Sequence, residues 1–307
     1  MGYGGYSSEA NQAITTARAA LPTQQVFSQK GVHARMNPHG VKLRECRDSP
    51  DHPESLGICF ALDVSGSMGQ IPEQLARREL PRFMKTLLDT GTLHPQVLFM
   101  AFADARYDVT PLQVGQFEST AELMDQWLTL TCMEAVARGT SYTGKLQGGE
   151  SYELALWFAA KHTAMDCVEK RQKKGYLFMT GDETGYPAVP AETVKITLGY
   201  DLPGDVPMRD VMAAVRACWQ PFFIIPDPGR RGVEGAWRAH FGNDVIVMDS
   251  PEDTCAVTAA VVALCEGTLP DLDGVGRALR EGGMAAERVK ASVAALRPWV
   301  DGRATRP

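Results

Sequence analysis

The stretch Gly57-Ile58-Cys59-Phe60-Ala61-Leu62-Asp63-Val64-Ser65-Gly66-Ser67 decides how the chain is read. Its opening residues are continuously apolar, the pattern of a strand buried on both faces rather than one alternating against solvent. The run stops abruptly at a carboxylate, followed by two hydroxyls at alternate positions. Alternate residues of an extended segment point the same way, so Asp63, Ser65 and Ser67 converge, and Gly66 permits the tight bend. Oxygen-only donors suit a hard cation such as Mg²⁺, with Mn²⁺ or Ca²⁺ as alternatives, rather than zinc. Helix capping by Ser65 or Ser67 is the competing reading, and five residues alone do not decide between the two.

Downstream, strand and helix patterns alternate. Ile71, Leu75, Leu80, Phe83, Leu87 and Leu88 recur at helical spacing up to Gly91, with Pro81 expected to break or kink that helix. Residues 96–102 (QVLFMAF) form a second apolar run, 109–114 reads as a short edge strand, and 120–130 as a helix capped by Ser119 or Thr120. The glycine- and hydroxyl-rich segment 138–149 reads as a loop, and 150–173 as the longest helix. Apolar runs at 176–180, 222–225 and 245–248 each follow a helical pattern. This alternation predicts an α/β fold: a doubly wound, mostly parallel sheet with helices on both faces. The expected division is an arm or cap over 1–56, the doubly wound domain over 57–267, and a C-terminal helical extension over 268–307.

In such a sheet ligands bind outside the carboxyl ends of the strands, which is where Asp63, Ser65 and Ser67 stand. At this point the chain resembles the von Willebrand factor A family, whose metal-ion-dependent adhesion site (MIDAS) begins with Asp-x-Ser-x-Ser. The resemblance covers 57–267 and implies a Rossmann-like fold, a bound divalent ion and two further ligand loops. One is a Gly-Asp turn after a later strand, matched by Phe178-Met179-Thr180-Gly181-Asp182. For the middle ligand many members use a threonine, available here in Gly139-Thr140-Ser141-Tyr142-Thr143-Gly144. Integrin β subunits instead use a glutamate in a Pro-Glu-Gly-Gly turn that opens a helix. Glu150 stands at the equivalent helix start, with Gly149 in place of the proline, and is favoured over Thr140 or Thr143. A first-turn acid favoured by the helix dipole is the plainer account of Glu150. The paired acids that serve an adjacent regulatory ion in integrin β subunits are replaced by Gln70 and Ile71, so no second adjacent site is expected.

Composition narrows the function. The 307 residues carry a formal charge of −6, which offers no basic field to nucleic acid or an anionic membrane. No run of eighteen apolar residues exists, and the polar, glycine-rich start does not resemble a signal peptide. Seven scattered cysteines, several inside apolar runs, read as reduced thiols of a cytoplasmic protein rather than a disulfide frame. Residues 139–145 (GTSYTGK) mimic a P-loop, but Leu146 replaces its Mg²⁺-holding hydroxyl and no strand leads into it. His33, His39, Cys46 and His52 lack the tight pairs of a zinc site. Arg171, Lys173 and Lys174 end a helix, Arg230 and Arg231 read as a solvated surface turn, and Tyr152, Trp157 and Phe158 as core. His162 gives no persuasive dyad with Asp166.

The resemblance therefore implies a non-catalytic module whose ion completes its coordination with a carboxylate from a protein partner. Intracellular relatives work as adaptors or assembly factors beside MoxR-type AAA+ ATPases or in stress and conflict systems, which makes such an ATPase a candidate partner. Two rivals stand beside it. A haloacid-dehalogenase-like phosphotransferase would need Asp-x-Asp, and Ser65 takes the second acid's place. A structural subunit would use the arm and C-terminal helix to hold a homo-oligomer together.

Overall fold

The computed structural model describes residues 4–138 and 149–304. In chain order its first elements are α1 (Ser8–Ala19), α2 (Thr23–Val26), β1 (Arg44–Cys46), β2 (Leu56–Asp63), α3 (Ile71–Gln74) and α4 (Leu80–Asp89). Then come β3 (Pro95–Phe102), β4 (Leu112–Glu118), α5 (Ala121–Leu130), α6 (Glu134–Arg138), α7 (Tyr152–Lys161), β5 (Thr163–Met165) and α8 (Asp166–Glu169). The middle of the chain adds β6 (Gly175–Thr180), β7 (Ala188–Val189), α9 (Ala191–Leu198), β8 (Val206–Pro207), α10 (Met208–Cys218) and β9 (Trp219–Ile225). Last are α11 (Glu234–Phe241), β10 (Val245–Val247), α12 (Thr254–Glu266), α13 (Leu272–Glu281) and α14 (Ala286–Ala304).

Six strands form the central sheet in the order β10-β9-β6-β2-β3-β4. All neighbours are parallel except the edge strand β4, which runs antiparallel to β3 with a register shift between Leu98 and Met100. Every residue of β2 and β3 is buried, as continuous apolar runs in a sheet covered on both faces require. Phe60 pairs in register with Phe99 and packs edge-on against Phe83 of α4. Phe102, an odd number of residues on and so facing the other way, packs against Tyr152 of α7. Helices α4 and α7 thus cover opposite faces, with α12 against α4 and α10 against α7.

Several local expectations are corrected. Between α3 and α4 the chain makes one π-type turn, Leu75–Glu79, in which the Leu80 N–H bonds to the Leu75 carbonyl. Pro81 then lies in the first turn of α4, where its missing N–H is not needed, so the helix is reset rather than broken. The helix expected over 150–173 ends at Lys161. The His162 ring bonds to the carbonyls of Val41 (2.9 Å) and Lys42 (3.1 Å), and β5 pairs in parallel with β1. Ala164 and Cys167 are buried in that new role, so the apolar pattern continued while the helix did not. The edge strand runs Leu112–Glu118 rather than 109–114, and the last helix continues through Pro298 to Ala304.

Helix α1 packs on α5 and α4. Arg18 pairs with Asp125 and donates to the Ala76 carbonyl (3.1 Å), tying the N-terminal segment to the turn that precedes α4. All seven cysteines are free thiols, five of them buried.

Candidate metal centre

Strand β2 delivers Asp63 to the carboxyl edge of the sheet, where its side chain is fully buried. Oδ1 accepts the Ser65 N–H (2.9 Å) and the Ser65 hydroxyl (2.5 Å), while Oδ2 accepts the Tyr152 hydroxyl (2.7 Å). The hydroxyl oxygens of Ser65 and Ser67 are 3.0 Å apart, and the Ser67 hydroxyl donates to Asp182 Oδ1 (2.9 Å). Asp63–Ser65 and Ser67–Asp182 are thus two hydrogen-bonded pairs whose hydroxyl oxygens meet between two strand ends.

The Gly-Asp turn after β6 needs its glycine. A Cβ at Gly181 would stand 2.2 Å from the Tyr152 hydroxyl, whose ring is wedged between Phe102, Phe223 and Trp237. The following residues are held from two sides: the Tyr152 hydroxyl accepts the Glu183 N–H (3.3 Å), and Trp237 Nε1 donates to the Glu183 carbonyl (2.9 Å). Tyr152 thus links the two acid loops, beyond the core role expected from its place on an apolar helix.

Glu150 is positioned by backbone. It pairs with Gly185 in a parallel bridge, and its N–H donates to the Thr184 carbonyl (3.1 Å). Gly149 has φ +88°, and a Cβ there would stand 2.0 Å from the Thr184 oxygen. A proline, fixed near −65°, cannot occupy this turn, which accounts for the departure from the integrin-like pattern. The glutamate is 8% exposed, and Oε2 takes no hydrogen bond among the described residues. Burial and, next, the charge of Asp63 push its carboxyl up to about 9, with Asp108 and Asp104 adding repulsion and Ser65 opposing it by hydrogen bonding. Asp63 is pushed up to about 6 by burial, against hydrogen bonds from Ser65 and Tyr152. Glu150 is thereby brought to the same place as Asp63 and Ser65. Thr140 and Thr143, the alternative middle ligands, lie outside the described residues, as does the P-loop-like segment.

The donor set fits a hard divalent ion on two observations. Both serine protons are directed at carboxylates, leaving hydroxyl lone pairs available, and their 3.0 Å separation matches adjacent positions of an octahedron with ligands at about 2.0–2.1 Å. The orphaned buried Oε2 of Glu150 lacks a partner that a cation would supply. Among the described residues no three acid, imidazole or thiol side chains converge closely enough to hold an ion by themselves. An ion held here would therefore need the two serine hydroxyls as well as the carboxylates.

Arg230, read from the sequence as a solvated turn with Arg231, is a correction. It follows β9, ion-pairs with Asp182 Oδ2, donates from Nη1 to the Ser67 carbonyl (3.0 Å) and pairs from Nε with Asp227 (2.9 Å). Arg231 does keep to the surface, paired with Glu234. Only the third dimension puts Arg230 beside the serines; its short-range sequence surroundings carry no signal for that.

No protein-family model matches the chain, and no curated protein does. Solved structures that resemble it include the vWF domain of the type V pili tip protein Mfa5 from Porphyromonas gingivalis, at 11% identity and TM-score 0.43, covering 69% of this chain and 95% of that one. The pilus adhesin SpaC from Lactobacillus rhamnosus GG aligns at 10% identity and TM-score 0.43 over 71% of this chain. Proximal thread matrix protein 1 from the mussel byssus, described with a zinc-occupied MIDAS motif, aligns at 13% identity and TM-score 0.36 over 71% of this chain. The chain spans 31% of the adhesin and 48% of the byssus protein. Likeness at these TM-scores assigns no role to this chain. By its own sheet order the protein has a doubly wound, mostly parallel α/β fold, with Asp63 and the Gly181-Asp182 turn at neighbouring carboxyl strand ends.

Proposed function

We propose that the protein is a divalent-metal-dependent protein-binding module without catalytic activity. Asp63, Ser65, Ser67, Glu150 and Asp182 would hold Mg²⁺ or Mn²⁺, and the bound ion would supply an open coordination position for a partner's carboxylate. The observation that carries this reading is the pair of hydrogen bonds by which two serine hydroxyls, 3.0 Å apart, turn their protons onto Asp63 and Asp182. It leaves lone pairs on both hydroxyl oxygens free to accept, and Glu150 contributes a further buried oxygen, Oε2, without a partner among the described residues. A phosphotransferase reading finds less support: Asp63 is wholly buried with both oxygens hydrogen-bonded, and Ser65 in the second acid's place donates its proton to Asp63.

One ion contact does not hold a complex together, since specific interfaces bury some 1,200–2,000 Å². An open groove of about 590 Å³ beside Gly66, walled by Gln24, Glu73, Arg77 and Arg78, extends the surface available to a partner. We place the module in the cytoplasm as an adaptor or assembly factor in a multiprotein complex, with an AAA+ ATPase of the MoxR type as the candidate partner; the free, largely buried thiols suit a reducing compartment. Capture from lysate on the immobilised protein with Mg²⁺ or Mn²⁺ tests the reading. Excess chelator should release the partner, and Asp63→Ala should abolish capture. A partner retained undiminished in chelator would place binding on another surface, and Mg²⁺-dependent hydrolysis of a generic phosphate ester would favour the enzyme.

A further inference from the structure

Three carboxylates around a divalent ion leave the site with one net negative charge, which opposes an incoming acid. Arg230 places a positive charge at the rim of the site where such an acid would arrive. Its guanidinium is held on three sides, by Asp182, by the Ser67 carbonyl (3.0 Å) and by Asp227 (2.9 Å), and Asp227 is itself fixed by the Gly229 N–H (2.8 Å). These contacts use Nη1 and Nε; Nη2 takes no hydrogen bond among the described residues, and the side chain is 25% exposed. A braced cation with a spare donor therefore stands at the rim of the ion site, bonded to the same two residues, Ser67 and Asp182, that would hold the ion.

We infer that Arg230 is a specificity-determining residue that receives the partner's carboxylate together with the ion. One carboxylate oxygen would meet the ion and the other would accept from Nη2, so the guanidinium would attract the acid locally and orient it. Planar guanidinium donors match carboxylate geometry, and a charge-assisted bond of this kind is about twice as strong as a neutral one. The site would thus favour a carboxylate, which offers two oxygens, over a neutral carbonyl, which offers one. This inference rests on the metal-dependent reading above.

The test separates the two. Mn²⁺ uptake by the full chain is measured by electron paramagnetic resonance, and ¹³C-acetate is then titrated at Mn²⁺ concentrations that saturate each variant, read by paramagnetic relaxation of the acetate carbon. Acetate should bind roughly tenfold more weakly to R230Q than to wild type. R230K, which keeps a cation for Asp182 and Asp227 but loses the fork, should fall between them and guards against a merely unfolded variant. Equal acetate affinity in all three proteins overturns the role of Arg230 and leaves the metal reading standing. Failure of the wild type to take up Mn²⁺ overturns the metal reading and this inference with it.

Discussion

The half of the site built from Asp63, Ser65, Ser67 and Asp182 and the half built from Glu150 are made by different means. In the first, hydrogen bonds join the side chains to one another and to Tyr152, and Arg230 balances the outer carboxylate. In the second, the backbone bridge to Gly185 sets the residue, and one carboxyl oxygen is buried without a partner among the described residues. A carboxyl so placed is destabilised as an anion and costs free energy in the metal-free protein. The first half thus runs from the buried Asp63 and Ser65 out to the surface at Ser67 and is held by its own hydrogen bonds, whereas under the proposed function Glu150 would contribute only when a cation arrives. Functional groups are often the ones a fold leaves unsatisfied, and the contrast can be broken or sharpened residue by residue.

The largest effect belongs to the backbone that places Glu150. Gly149→Ala forces a side chain into a left-handed turn and against the Thr184 oxygen, and should cost about 3–5 kcal/mol or misplace the loop, as read by chemical denaturation. Next is Asp63→Ala, which strands the buried Tyr152 and Ser65 hydroxyls. It should lower metal-free stability by about 2–3 kcal/mol, whereas Glu150→Gln, which removes a buried carboxyl that is costly to ionise, should leave it unchanged or raise it. Equal costs for these two substitutions would erase the proposed difference between the halves.

A third expectation concerns pH and lies next to the site. Glu153 is 1% exposed, and burial pushes its carboxyl up to about 8 from an ordinary value of 4.5. The folded state therefore holds a proton that the unfolded chain releases, so this group's stabilising contribution is full below about 4.5 and is lost as pH rises towards about 8. Glu153→Gln should flatten that decline and stabilise the protein at pH 8 by about 1–3 kcal/mol. Melts of the two proteins that run parallel from pH 5 to 8 would contradict this. The smallest effect is Tyr152→Phe, which removes one hydrogen bond to Asp63 while keeping the ring and should cost about 1 kcal/mol.

How much of this was legible in the sequence follows from the range of each interaction. A fully apolar run ending in Asp-x-Ser-x-Ser announces both the central strand and the cluster at its end, because strand burial and side-chain alternation are local rules. The Gly-Asp turn after β6 was legible for the same reason. The π-turn ahead of α4 was not, since Pro81 signals a disruption without saying how the chain absorbs it. The end of α7 at Lys161 was hidden because Ala164 and Cys167 are buried against the core as apolar residues of a helix would be. Tyr152 was read as packing because its ring does pack; its hydroxyl is what reaches Asp63. Arg230 meets Asp182 and Ser67 only through the sheet order, which places β9 beside β6 and β6 beside β2.

The central claim is that a divalent ion is held jointly by the two halves. Calorimetric titration of Mg²⁺ and Mn²⁺ into the wild type and into Glu150→Gln tests it most directly. Saturable one-to-one binding in the wild type, weakened at least about tenfold in Glu150→Gln while that variant melts no lower than the wild type without metal, is the predicted result. Undiminished binding by Glu150→Gln, or no binding by the wild type, would contradict it.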